Sequence, residues 1–223
     1  MSHASSPSDR HQQGLATLLS IGGPDGAKPL LALHDIAPDL LRFAIEFAYG
    51  DVLSRPTIDL ETRQLCTVAA LSAMGTATPQ LRWHIDGALN VGWRPSDVID
   101  AVVLSAVKTR SCAVSASLGT AREVFEARGS SPEAIAALEA ARERCAGALR
   151  SVDHGGLDNR TAALMSVAAL TAVANAPAHL AAEIRAALEA GATCRHVVEV
   201  IEQMAVYAGF PAALNAIAVA RPV

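Results

Sequence analysis

Few residues in this chain combine reactive chemistry with a position that can use it. His84 is the first. It sits in Leu81-Arg82-Trp83-His84, inside an amphipathic stretch that opens at Thr78-Pro79 and stops at Gly92. An imidazole titrates near neutrality, so it can hold and release a proton at working pH without a metal. The competing reading is a His packed on a helix face, hydrogen-bonded and inert. Arg55 follows a turn and precedes Pro56. A guanidinium forks onto a carboxylate through two parallel hydrogen bonds, which suits an acidic substrate. Against that stands a surface ion pair with Asp51 or Asp59. Tyr207 and Asn215 flank Gly209-Phe210-Pro211, where Gly and Pro interrupt a helix. A phenol and an amide there can hold a carbonyl or lactone oxygen. The alternative is tight helix packing, with Tyr207 in the core. Arg82 lies two residues from His84, roughly 200° away around a helix. It therefore reads as an interface or surface ion pair rather than a partner of His84 in one pocket.

Other chemistries lack their residues. His179 and His196 do not pair as metal ligands, and there is no HExxH, phosphate-cradling Gly loop or GxSxG. No metal is expected. Asp97, Asp100, Glu199 and Glu202 read as solvated charge on helix faces. Cys66, Cys112, Cys145 and Cys194 form no CxxC pair. With a polar N-terminus that lacks an apolar signal segment, they read as reduced thiols of a cytoplasmic protein. Net charge is −4 with no basic block, so nothing attracts nucleic acid or an anionic membrane. The nearest approach to a membrane span, Ala162–Ala174, is interrupted by Ser166 and Thr171.

The elements that must position these residues read as helices. Alanine abounds, aromatics make up only 4%, and no segment sustains period-two alternation, so the fold class is all-α. Residues 1–9 read as disordered. A helix over 10–21 stops at Gly22-Gly23-Pro24, and 22–29 reads as a loop. Further helices are predicted over 37–50, 59–74, 78–91, 95–107, 112–128 and 132–149. A turn over 51–57 separates the first two of these. After 151–156 the set recurs over 158–174, 178–190, 195–207 and 211–219.

That recurrence is a sequence repeat. Val68–Val124 and Val167–Val223 align without a gap at an offset of 99 residues. Leu81, Ile85, Ala88, Leu89 and Gly92 match Leu180, Ile184, Ala187, Leu188 and Gly191. The polar residues differ: His84 faces Glu183, and Tyr207 faces Lys108. A shared core with divided chemistry points to one composite site. The expected organisation is a first repeat with its N-terminal extension over 1–130, a helical connector over 131–157 and a second repeat over 158–223. The two repeats should form a pseudo-dimer, since a fused pair fixes two diverged halves in one stoichiometry.

Three motifs together resemble the carboxymuconolactone decarboxylase family. They are Phe47-Ala48-Tyr49-Gly50-Asp51-Val52-Leu53-Ser54-Arg55-Pro56 with Asp59–Leu65, then Leu81–Gly92, then Ala205–Asn215. The resemblance implies an all-helical fold of the alkyl hydroperoxidase D-like type and a cofactor-free site near His84. It also implies a homo-oligomer, here a dimer or trimer of fused pseudo-dimers. The implied substrate is a small carboxylated molecule such as a lactone or enone, with His84 as proton donor after loss of CO2. Arg55, Tyr49, Trp83, Tyr207 and Asn215 are the implied substrate-binding residues, although Trp83 also reads as a core or interface aromatic. The peroxidase branch of that superfamily carries a CxxC ahead of the His. Gln80 and Ala77 occupy those places here, so dithiol peroxide reduction is not expected. The acidic residue of that branch is also missing, with Gln64 or Glu61 lying closest. Tyr49 and Leu53 stand where the decarboxylase pattern has Trp. Cyclisation or isomerisation of a secondary-metabolite intermediate is the alternative reaction, and a non-catalytic degenerate subunit is the alternative to an enzyme.

Overall fold

Two alanine-rich helices crossing at the centre explain why so few large side chains suffice for a core. The computed structural model describes residues 7–146 and 156–223. Helices α1 (Pro7–Leu31) and α2 (Pro38–Phe43) lead into a π-helical segment over Ala44–Leu53. The first repeat then supplies α3 (Leu60–Met74), α4 (Thr78–Asn90), α5 (Pro95–Thr109) and α6 (Val114–Ala127). After α7 (Pro132–Ala146), the second supplies α8 (Asn159–Val173), α9 (Pro177–Glu189) and α10 (Cys194–Ala220). The described residues contain no strand, and the all-α expectation holds.

α3 and α8 pack against each other and are buried on every side from Thr62 to Ala73 and from Thr161 to Ala172. Val68-Ala69-Ala70 and Val167-Ala168-Ala169 are fully inaccessible, and their small side chains let the two backbones approach closely. Around this pair the contacts are reciprocal: α5 of the first repeat packs on α8, and α10 of the second packs on α3. The bounds repeat at the sequence offset. Asp59 and Asp158 cap α3 and α8 through Thr62 N (2.7 Å) and Thr161 N (2.9 Å). Gly75 and Ala174 end them in the left-handed region (φ 68° and 51°). The tandem repeat thus folds as a pseudo-dimer.

Three readings need correction. Residues 22–29 are helical rather than a loop: Gly23 (φ 65°, ψ 179°) kinks α1, and Pro24 then starts its second half at a position where proline is tolerated. The turn assigned to 51–57 begins only after Leu53, because the π-helical segment carries helical structure through Leu53. Asp97 and Glu199 are not solvated charges, while Glu202 stays half-exposed. Asp97 is buried and closes the N-terminus of α5 with Arg94, while Glu199 and Glu202 are engaged by arginines of the first repeat. Of the segment read as disordered, residues 7–9 open α1 and 1–6 lie outside the described residues. So do the end of the helix predicted to reach 149 and most of the joint over 151–156. α10 is long and apolar enough, by length and composition, to cross a membrane. It is broken at Gly209 (φ 84°, ψ 163°), and its first half carries Glu199 and Gln203, both bound to α3.

Candidate active site

His84 lies on α4, whose inward face is set by Leu81, Ile85 and Ala88 at helical spacing. One step around the helix, His84 meets α3. Its Nδ1 is 2.9 Å from Gln64 Oε1, and both side chains are buried. With the Gln64 amide assigned oxygen-inward, the matching tautomer has the proton on Nδ1 and a lone pair on Nε2. Burial drives the imidazole's pKa down to about 3, so His84 is neutral at pH 7.

Aromatic rings hold the imidazole from two sides. The Trp83 ring lies edge-on at 4.8 Å and the Tyr207 ring at 5.3 Å, centroid to centroid. Tyr49 in turn lies edge-on to Trp83 at 6.0 Å. Trp83 is itself fixed by a 2.8 Å bond from Nε1 to the Gly26 carbonyl. A Cβ at Gly22 would come within 2.6 Å of the Trp83 ring, so only glycine allows α1 to lie this close. Burial pushes both tyrosine pKa values upward, so both phenols keep their protons at neutral pH.

A cavity of about 720 Å³ opens onto His84, Tyr49 and Trp83. Its far wall is aliphatic and includes Leu18, Pro29, Leu30 and Leu33 of the N-terminal segment and Val124 of α6. Arg82 also borders this cavity. Its expected ion pair is present, with Glu123, yet its half-exposed side chain lines the same cavity as His84. The separation of the two around the helix therefore does not put them at different pockets.

The remaining candidates lie elsewhere. Tyr207 packs on the His84 ring but is not among the residues that line the cavity, so it buttresses the imidazole from behind. Arg55 pairs with Glu202 and, at 3.7 Å, with Glu199, not with Asp51 or Asp59. Its side chain borders a separate cleft with Gln13 and Thr17. Asn215 lies beyond the Gly209 kink, in a smaller cavity of about 240 Å³ with Thr171 and Pro177. The structure therefore unites His84 with Tyr49, Trp83 and Tyr207, and leaves Arg55 and Asn215 apart from it. Arg63 drew no notice in the sequence. It is fully buried on α3 and donates to Glu199 (2.9 Å), Gln203 (3.2 Å) and the Arg55 carbonyl (3.2 Å). Gln203 returns bonds to the Arg63 carbonyl and the Thr67 hydroxyl, both at 2.9 Å. Three polar residues at apolar-looking helix positions were the available signal.

The pseudo-two-fold gives each helix contact a counterpart. His84 of the first repeat meets Tyr207 of the second. At the equivalent positions Glu183 of the second repeat meets Lys108 of the first, joined at 2.7 Å. Gln64 and Trp83 correspond to Ala163 and Ala182. One site keeps an imidazole, its partner and its rings, while the counterpart positions hold an ion pair. No cysteine lines the His84 cavity. Cys66 is buried, which raises its thiol to about 12, and Cys112 is exposed.

The profile of the carboxymuconolactone decarboxylase family matches residues 38–123 and again 132–222. The chain belongs to that family. Both copies of the family's unit are present, and the second match begins at the start of α7. The chain is similar to the 4-carboxymuconolactone decarboxylase of Acinetobacter baylyi (strain ATCC 33305 / BD413 / ADP1), at 31% identity over 127 residues. That alignment covers 56% of this chain and 94% of the relative. It is also similar to an uncharacterized 15.0 kDa protein of Paracoccus denitrificans, at 37% identity over 75 residues. There the match spans 33% of this chain and 56% of the relative. Within this family member, α1 and the turn after it lie outside both matched segments, yet they supply much of the cavity wall.

Proposed function

We propose that the chain is a carboxy-lyase of the carboxymuconolactone decarboxylase type. It removes CO2 from a small carboxylated lactone or enone without a cofactor, by proton transfer at His84. One observation carries this reading: a buried neutral imidazole, with Nδ1 beside Gln64, meets a cavity of about 720 Å³ in a single copy of the repeat. The C–C bond to the carboxylate breaks and its electron pair stays on the former α-carbon, delocalised into the adjacent carbonyl. The Tyr49 phenol, kept protonated, can donate to that oxygen as negative charge builds. The carbanion then takes a proton from His84 Nε2. Because the free imidazole is neutral, that proton enters with the substrate: a carboxylate beside the ring raises its proton affinity. The sum is one carboxylate and one proton in, one CO2 and one C–H bond out.

The low proton affinity of His84 also favours a second reading. A resting base can take a proton from a carbon next to a carbonyl and return it elsewhere, which is isomerisation or cyclisation without loss of mass. CO2 release from 4-carboxymuconolactone and related carboxylated lactones separates the two. His84→Ala should lower turnover by roughly 10²–10⁴-fold, while Glu183→Ala stays near the parent rate. If Glu183→Ala is inactive and His84→Ala is not, the working site has been assigned to the wrong copy. Absence of turnover on any such acid favours the non-catalytic alternative.

A further inference from the structure

The imidazole of His84 is hydrogen-bonded at one atom, and one hydrogen bond does not fix a plane. The Nδ1 contact with Gln64 lets the ring turn about that axis unless its edges are held. Tyr207 of α10 supplies such a hold, with its ring edge-on at 5.3 Å. Tyr207 is in turn the end of a buried polar ladder between the two repeats. Arg63 and Thr67 stand one turn apart on α3, and Glu199, Gln203 and Tyr207 follow one another at one-turn intervals on α10. Arg63 donates to Glu199 and to Gln203 Oε1, and Gln203 Nε2 donates to Thr67 Oγ1 at 2.9 Å. The fully buried Thr67 hydroxyl donates to the Arg63 carbonyl at 3.0 Å. An alcohol oxygen has one proton and two lone pairs. The Arg63 carbonyl takes the proton and Gln203 one lone pair, which leaves the second for the Tyr207 phenol that meets this hydroxyl.

We infer that Thr67 is a positioning residue: it pins the Tyr207 phenol, and that ring sets the plane of the His84 imidazole so that Nε2 faces the cavity. The inference rests on the reading of His84 as the proton-transfer group. The pseudo-symmetry ties the ladder to the site rather than to the joint between repeats, because a joint would serve equally at both symmetry-related places. Ala162, Ser166, Leu104 and Lys108 stand where Arg63, Thr67, Gln203 and Tyr207 stand. Ser166 keeps the bond to the carbonyl four residues back, at 3.0 Å, but Leu104 has no amide to offer it. Ladder and imidazole occur together, and the side where Glu183 pairs with Lys108 has neither.

The test uses Thr67→Val, Tyr207→Phe and their double variant in the full chain, with Thr67→Ser as the conservative replacement. Tyr207→Phe keeps the ring and removes only its tether, so it decides alone if Thr67→Val fails to fold. On a carboxylated lactone that the parent decarboxylates, each single variant should lower kcat by about 2- to 12-fold, the worth of one hydrogen bond, with KM near the parent value. The double variant should be no slower than the slower single, because both remove the same contact. Thr67→Ser should keep the parent kcat. Proton NMR of the His84 ring, assigned with His84→Leu, reads the orientation without substrate. Its carbon-bound protons should shift in Thr67→Val and Tyr207→Phe and stay in place in Thr67→Ser. A role confined to joining the repeats would lower the urea midpoint and leave those resonances unmoved. Unmoved resonances, or kcat losses that multiply in the double variant, overturn the inference. If the parent turns over no carboxylated lactone while the resonances move, the proposed reaction fails and the positioning of His84 stands. Decarboxylation that neither single variant slows does the reverse.

Discussion

His84 shows how a single residue's environment sets its part. In water its imidazole would be partly protonated at pH 6.5, but burial holds it neutral down to about pH 3. The unfolded chain therefore binds one more proton than the folded chain between roughly pH 6.5 and 3. The stability this group allows is fully present above pH 6.5 and is lost as pH falls through that window, at up to about 1.4 kcal/mol per pH unit. Urea midpoints measured from pH 7 to pH 4 should fall more steeply for the parent than for His84→Leu. Parallel slopes would mean that the ring is solvated. The same neutrality predicts that kcat/KM, which reports the free enzyme, shows no acid limb near pH 6.5 from this residue. Gln64 supports the tautomer. Gln64→Leu removes the partner of a buried N–H, costing about 1–3 kcal/mol. If that loss falls on the transition state, kcat drops by roughly 5- to 150-fold. KM should hold, because Gln64 does not line the cavity. A variant with raised KM and parent kcat would place Gln64 against the substrate instead.

At the scale of elements, the site depends on two helices that change direction at glycine. α1 turns at Gly23 so that its second half can cover Trp83, and α10 turns at Gly209 just after Tyr207. Gly209 holds φ 84° and ψ 163°, a region that side chains with a Cβ avoid at a cost of about 1–3 kcal/mol. Gly209→Ala should lower stability by that amount and alter the Tyr207 contact with His84. Thermal unfolding checks the first part and turnover the second. An unchanged melting temperature would mean that the backbone relaxes at the kink without strain. The π-helical segment works by close approach. A Cβ at Gly50 would lie 2.6 Å from the Arg10 carbonyl, so α1 runs directly along the segment that presents Tyr49.

Across the whole molecule, the two repeats are joined by buried polar contacts that neither could satisfy alone. Arg63 of the first reaches Glu199 and Gln203 of the second, and the equivalents of Arg63 and Gln203 are Ala162 and Leu104. The pseudo-symmetry is thus broken in the core as well as at the sites. Arg63→Ala strands the Glu199 carboxylate inside and should cost about 3–5 kcal/mol, read as a drop in the urea midpoint. Loss well below that would mean that Arg55 takes over the partner. Cys112→Ser should retain turnover, since the thiol is exposed and no cysteine lines the His84 cavity. Activity lost with Cys112 would point to thiol chemistry.

Much of this was legible in the residues. Helix bounds are set locally: Asp59 and Asp158 cap, Gly75, Gly92 and Gly191 stop, and each acts through its own backbone neighbours. The tandem repeat was legible because core positions recur at one offset, and His84 stood out because its counterpart is Glu183. Partnership was not legible. Arg55 read as a carboxylate binder or a surface ion pair and Arg63 drew no notice, and only packing against α10 shows that one is half-exposed and the other fully buried. Asn215 shares a motif with Tyr207, but the Gly209 kink sends it to a different cavity. Gln64 and His84 are twenty positions apart, and the length of the turn between α3 and α4 decides that they meet. Which residues cap and which repeat follows from short-range rules the chain carries in order. Which charge is paired, which imidazole is dry and which wall closes the cavity follow from long-range burial, and burial exists only once the helices have packed.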